Sequence, residues 1–202
     1  MKSFARGERL SEVRVLLVCS AVLLASCSHA PEREYRVPQS LCGLKVAEKR
    51  YAPLFGPGEK IYRDDDPVKL GSARVTSQGC HYFVDGKPAV SVSGEWAEEN
   101  DQAAPSTPAE AIKWHNTRDK PRKYEGAYDV ATWQRGAVAA IDCPRPRGDD
   151  DASFTRYLVD IFATDTPLND DPERAHKVFG KLAQEVMEKV AKKLPCRVSQ
   201  VK

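Results

Sequence analysis

The sequence predicts an α+β fold, an antiparallel sheet packed on one face by helices and closed by a long C-terminal helix. Three observations carry that expectation. Alternating apolar and polar residues at 80–84 and 89–96 flank Asp85-Gly86, a dipeptide favoured in type I′ hairpin turns. A second alternating run, 156–164, sets Tyr157, Val159, Ile161 and Ala163 opposite Leu158, Asp160 and Phe162. Asp171-Pro172 then caps a helix whose Ala175, Val178, Phe179, Leu182, Val186, Val190 and Leu194 form one apolar stripe, ended by Pro195. Hairpin strands interspersed with helices fit α+β; a parallel sheet would need a crossover between successive strands.

At the amino end, residues 1–26 read as an export signal. Lys2, Arg6, Arg9 and Arg14 surround or precede the apolar run 15–24. That run is too short to span a bilayer, which takes about 20 apolar residues. Leu24-Ala25-Ser26-Cys27 has the form of a lipobox, so Cys27 is expected to become the lipid-bearing first residue of the mature chain. Two acyl chains on its thiol hold a protein where one chain binds only marginally. The alternative is plain cleavage near Ala25 or Ala30 without lipid. Residues 27–40, with Pro31, Pro38 and alternating charges, read as lipid anchor and flexible tether, and 41–202 as a single globular domain.

Removing the signal changes the charge balance. It holds four of the 31 basic residues and two of the 29 acidic ones, so the mature chain is formally neutral. A balanced surface has no long-range field of one sign, which argues against nucleic acid and against attraction to anionic headgroups. Six cysteines reduce in the same way, because Cys19 leaves with the signal and Cys27 takes the lipid. Cys42, Cys80, Cys143 and Cys196 remain, an even number that suits an oxidising compartment. Of three possible pairings, Cys42 with Cys80 and Cys143 with Cys196 is favoured, since it keeps each bridge in one half of the chain. No Cys-x-x-Cys pair supports a metal site instead.

Within the domain, Leu44, Ala47, Tyr51 and Leu54 recur at helical spacing and predict a short helix starting beside Cys42. Strands are expected at 60–63 and 73–77, followed by the Asp85-Gly86 hairpin. Val90 and Val92 should face the core, with Ser91, Ser93 and Glu95 outward. After a polar loop at 100–106, Thr107-Pro108-Ala109-Glu110 is a capping box, predicting about ten helical residues that break near Asn116. A turn or short strand is expected at 124–128. An apolar strand follows at 136–143, then a charged loop to Ser153.

Chemistry-bearing motifs are sparse. His81, His115 and His176 fall in three separate elements, and His176 reads as a solvated side chain. Asp64-Asp65-Asp66 and Asp149-Asp150-Asp151 lack the spacing of a calcium loop, and charged turns explain both. Gly-x-Ser-x-Gly, Ser-x-x-Lys and His-Glu-x-x-His are absent. No cofactor or metal is therefore expected. Three tryptophans, Trp96, Trp114 and Trp133, and seven tyrosines could line a ligand site, although core packing explains each tryptophan more simply.

Several of these features together resemble lipid-anchored envelope proteins of actinobacteria, a family whose domain has no assigned activity. The residues that carry the resemblance are the lipobox at Cys27, Cys42 before a helix ending Leu54-Phe55-Gly56, Cys80 leading a strand, Val130 to Trp133 followed by the strand into Cys143, and Leu194-Pro195-Cys196 closing the long helix. The resemblance implies a membrane-anchored, extracytoplasmic location. The functional expectation is a non-enzymatic envelope lipoprotein that binds a small ligand, a wall component or an envelope protein in a pocket between sheet and helices. The alternatives are an envelope hydrolase, in which His115 or His81 meets a carboxylate and a serine, and a structural docking module.

Overall fold

The computed structural model describes residues 32–65, 70–72, 77–98, 105, 107–145 and 154–196. The export signal and lipobox with Cys27, residues 73–76 of one expected strand, the loop 100–104 and the Asp149 to Asp151 run lie outside them. The chain divides into two units, Met1–Glu32 and Arg33–Lys202, and every helix and strand described belongs to the second.

Seven strands form one antiparallel sheet: β1 (Ile61–Asp65), β2 (Ser77–Val84), β3 (Lys87–Glu98), β4 (Arg122–Tyr124), β5 (Asp129–Trp133), β6 (Gly136–Arg145) and β7 (Phe154–Ala163). Their order is β1-β2-β3-β7-β6-β5-β4, so β7 fills the centre and β1 and β4 are the edges. The β2–β3 turn is of type I′, with φ of +49° at Asp85 and +78° at Gly86. The fold is α+β, with the long helix on the sheet that the alternating patterns predict.

Helix α3 (Pro172–Ala191) covers one face. Asp171 caps it by accepting the Arg174 N–H at 3.0 Å. Its buried Ala175, Phe179, Leu182, Val186 and Val190 pack in the same core as Val90 and Val92 of β3, Val159 and Ile161 of β7, and Ala137 and Ala139 of β6. Each large apolar side chain taken fully from water there contributes roughly 1.5–3 kcal/mol. Helix α1 (Glu48–Tyr51), continued by a 3₁₀ turn (Ala52–Leu54), adds Tyr51, Leu54 and Phe55 to the same core.

The opposite face has its own smaller cover. Helix α2 (Pro108–Ile112) and a 3₁₀ turn (Lys113–His115) place Ala111 and Ile112 against Ala97, Ala131, Val138, Ala140 and Leu158. The unbroken apolar run at 137–141 is the reason: where every successive residue of a strand is apolar, both faces are buried. Thr107 caps α2 through the Glu110 N–H at 3.2 Å, and Asn116 ends the segment at φ +48°.

Two local expectations need correction. The helix expected beside Cys42 begins only at Glu48, because Cys42 (φ +51°) and Gly43 (φ +73°) form a tight turn that brings Leu41 to Leu44. Tyr82 stabilises that turn; its hydroxyl accepts the Cys42 N–H at 2.9 Å and donates to the Ser40 carbonyl at 3.0 Å. The tether expected over 27–40 does not extend to residue 40. Arg33 bridges to Gly58, Tyr35 donates to the Gly56 carbonyl at 2.6 Å, and Tyr51 donates to the Pro38 carbonyl at 2.5 Å. Tyr35 and Val37 also pack on the core, so residues 33–40 belong to the folded domain.

Cys42 is bonded to Cys80 and Cys143 to Cys196, separations of 38 and 53 residues. The first bridge fixes the 41–44 turn to β2; the second ties the segment after α3 to the end of β6. Among the described residues no helix is long and apolar enough to cross a membrane.

Candidate functional site

A concave surface runs along the seam between edge strand β4 and α3. Alternation directs Arg122 and Tyr124 of β4 to the helix side. Arg122 grips Glu173 of the first turn of α3 with two hydrogen bonds, 2.8 and 3.3 Å. Tyr124 lies across Gly180, where any Cβ would collide with its ring; α3 carries glycine at the point of crossing. That contact divides the seam into two hollows.

Towards the start of α3 the hollow is a pocket of about 230 Å³, lined by Asp119, Lys120, Arg122, Thr132, Trp133, Gln134, Pro172 and His176. Its walls are rich in donors. Lys120, Arg122, Gln134 and His176 all carry N–H groups, whereas Trp133, also at the pocket's edge, turns its ring to the other face of the sheet. His176 Nδ1 lies 2.6 Å from Thr132 Oγ1, which is itself 3.3 Å from the Arg122 carbonyl, and the His176 ring meets Tyr124 edge-on. Burial, reinforced by the Arg122 charge and opposed by Glu173, holds the His176 imidazole below its usual pKa. The expectation that His176 is simply solvated therefore gives way to a half-buried histidine in the pocket wall. Arg122 in turn lowers the pKa of Glu173, chiefly through their hydrogen bond.

Towards the end of α3 the seam widens into an open groove of about 700 Å³, walled by Tyr124, Tyr128, Arg50, Lys181, Gln184 and Glu188 among others. Gln184 shapes one side of it, accepting the Tyr128 N–H at 3.1 Å and donating to the Tyr128 carbonyl at 2.9 Å. Arg50 pairs with Glu185 across the helices at 3.3 Å. Ligand sites commonly enclose a few hundred to about 1,000 Å³, so the groove has room for a small molecule or an extended segment of glycan or peptide.

On the other face of the sheet, the hydrolase reading finds part of its constellation. His115 Nε2 lies 2.5 Å from Asp160 Oδ2, and the ring packs against Trp133 and Phe162, with centroids at 4.7 and 5.2 Å. Ser93 is the ladder partner of Asp160 and Ser91 that of Phe162, yet no hydroxyl is hydrogen-bonded to His115 among the described residues. The arrangement fastens the 3₁₀ turn to the sheet. His81 lies exposed on β2, opposite Asp64 and Ser91 in the ladder, whereas His115 belongs to the 3₁₀ turn after α2.

Of the tryptophans, Trp96 and Trp133 are each 3 % exposed, whereas Trp114 is 54 % exposed. Among the described residues, no three His, Cys, Asp or Glu side chains gather in a way that could hold a metal ion. Sequence reasoning did not single out Thr132, Arg122 or Gln184. Gln184 sits beside the apolar stripe of α3 and could have been flagged as a polar residue on its flank; the other two become site residues only through the β4–β5 pairing, which brings Arg122 opposite Thr132.

The fold and the seam define a disulfide-bridged α+β domain with a cleft between an edge strand and its long helix. Two disulfides fit an extracytoplasmic protein, since such bonds persist in oxidising compartments. Comparison of the chain with protein-family models, with curated proteins and with solved structures finds no match.

Proposed function

We propose that this protein is a lipid-anchored component of the cell envelope that binds a small ligand along the β4–α3 seam without transforming it. The observation that carries the binding reading is the 230 Å³ pocket lined by the donor-bearing residues Lys120, Arg122, Gln134 and His176. That lining favours a ligand that presents oxygen acceptors, such as a hydroxylated or carboxylated wall fragment. The larger groove beyond Tyr124 gives the remainder of such a molecule somewhere to lie. Similarity to actinobacterial envelope lipoproteins belongs to the same proposal and rests on the Cys27 lipobox and the cysteine framework.

The test is an NMR titration of the full chain with soluble wall glycan and peptide fragments. The His176 ring resonances should move on binding, and Lys120→Ala should weaken the response while leaving the backbone spectrum folded. Unmoved His176 signals in the presence of a fragment that binds elsewhere would sink the pocket as the ligand site.

The anchor has its own test. Cys27→Ala is expected to shift the protein from the detergent phase to the aqueous phase on phase separation. A variant that partitions like the parent would rule out lipid attachment.

A further inference from the structure

We propose that the end of the sheet carrying the β2–β3 turn rests on the lipid surface to which Cys27 is attached, with the Tyr62–Phe83 pair in contact with the headgroup layer. This rests on the lipid-anchor reading above and adds to it an orientation and a contact surface. The starting point is the position at which the chain joins the domain. Arg33 bridges to Gly58, donates to the Ala52 carbonyl at 3.1 Å and also to the Phe55 carbonyl; the Glu34 N–H donates to the Gly58 carbonyl at 2.8 Å. Gly58 belongs to the same corner as the hairpin tip. Asp85 accepts the backbone N–H groups of Glu59 and Lys60, the latter at 2.8 Å, and its own N–H donates to the Lys60 carbonyl at 2.9 Å.

Cys27 precedes Arg33 by six residues. Six residues reach at most about 20–22 Å when fully extended. The twelve residues of β3, by contrast, rise about 40 Å from the tip to the far end. So short a link therefore keeps the tip within about 22 Å of the lipid, while nothing ties the far end to it.

The exposed aromatic surface at that end suits a bilayer interface. Tyr62 is 53 % exposed and stacks on Phe83, with centroids 4.7 Å apart and planes within 2°. Phe83 is two residues from the Asp85-Gly86 turn, about 7 Å along the strand. Tyrosine favours the water–membrane boundary, where the ring is buried and the hydroxyl stays wet. Arg33, Lys60 and Lys87 are exposed at this corner with Glu34, Glu59 and Asp85, three of each sign, so the corner is close to neutral. Contact should then depend on the aromatic rings and not on anionic lipid.

The experiment is lysine-acylation footprinting of the full-length acylated protein on phosphatidylcholine vesicles, read by mass spectrometry. Acylated protein released in detergent is the reference, and Lys193, beyond the far end of α3, is the internal control. Lys60 and Lys87 should react several-fold more slowly on vesicles relative to Lys193, with the same result when phosphatidylglycerol is included. Tyr62→Ser combined with Phe83→Ser should keep the protein on the vesicles but lose the protection. Equal lysine reactivity on vesicles and in detergent, with the protein still floating with the lipid, overturns the orientation and leaves the anchor intact. Protection that survives the double substitution overturns the role of the rings. Failure of the unsubstituted chain to float overturns the anchor and the orientation with it.

Discussion

Replacing Cys143 and Cys196 by serine will lower the stability of the domain by up to about 4 kcal/mol, the loop-closure value for a bridge spanning 53 residues. For a chain of this size that corresponds to a fall in melting temperature of roughly 8–16 °C. Two physical effects add. The unfolded chain regains the freedom of a long loop, and the folded chain loses the clamp that holds the end of α3 to β6. Cys143 is fully buried, so the serine hydroxyl introduced there also enters an apolar environment. Denaturant melts of the parent and the double variant, both without reductant, measure the difference. Identical midpoints would show that α3 is held by its apolar stripe alone.

The second large effect concerns Tyr157, whose hydroxyl sits at the hub of a buried polar network. It accepts the Gly71 N–H at 3.0 Å and donates to Gln78 Oε1 at 3.0 Å. Gln78 in turn holds Ser72 through both its amide atoms, at 3.1 and 3.2 Å, and Trp96 Nε1 donates to the Ser72 carbonyl at 3.1 Å. Tyr157→Phe leaves the Gly71 N–H without its acceptor and is expected to cost about 1–3 kcal/mol at neutral pH. Burial pushes the phenol pKa up to about 12, opposed by the Gly71 hydrogen bond. Between pH 10 and 12 the unfolded chain sheds this proton while the folded chain keeps it. The contribution is thus complete below pH 10 and disappears as the pH rises to 12, a loss of about 3 kcal/mol. The difference between parent and Tyr157→Phe stabilities should narrow over that interval. Parallel curves from pH 8 to 12 would contradict a raised folded-state pKa.

Most of the architecture can be read from local patterns because these obey short-range rules. Asp85-Gly86 specifies its turn by tolerating positive φ, and the Val90–Val92 and Val159–Ile161 alternations specify which side of each strand is buried. Asp171 and Thr107 act as caps within three residues of the groups they satisfy. The features that could not be read in this way depend on partners distant in sequence. Cys42 and Gly43 lie within a plausible helical period but are bent into a turn by Tyr82, forty residues away. Strand β4 has only three residues and no alternation long enough to register, yet it supplies Arg122 and Tyr124 to the seam. Arg33 and Tyr35 belong to a proline-containing, charged stretch with the composition of a linker; carbonyls of the 52–56 segment hold them. The candidate site was legible as an aromatic surplus and a sheet–helix boundary, whereas its position depended on the pairing of β4 with β5.

The two bridges follow one another along the chain without interleaving: the first is closed by Cys80, before Cys143 is reached. A polypeptide emerging amino end first into an oxidising space offers Cys42 and Cys80 to each other while the other pair is still behind. The next two thiols to emerge are again mutual partners. Native connectivity is then the order of arrival, and oxidation during export needs no reshuffling of mispaired cysteines to reach it.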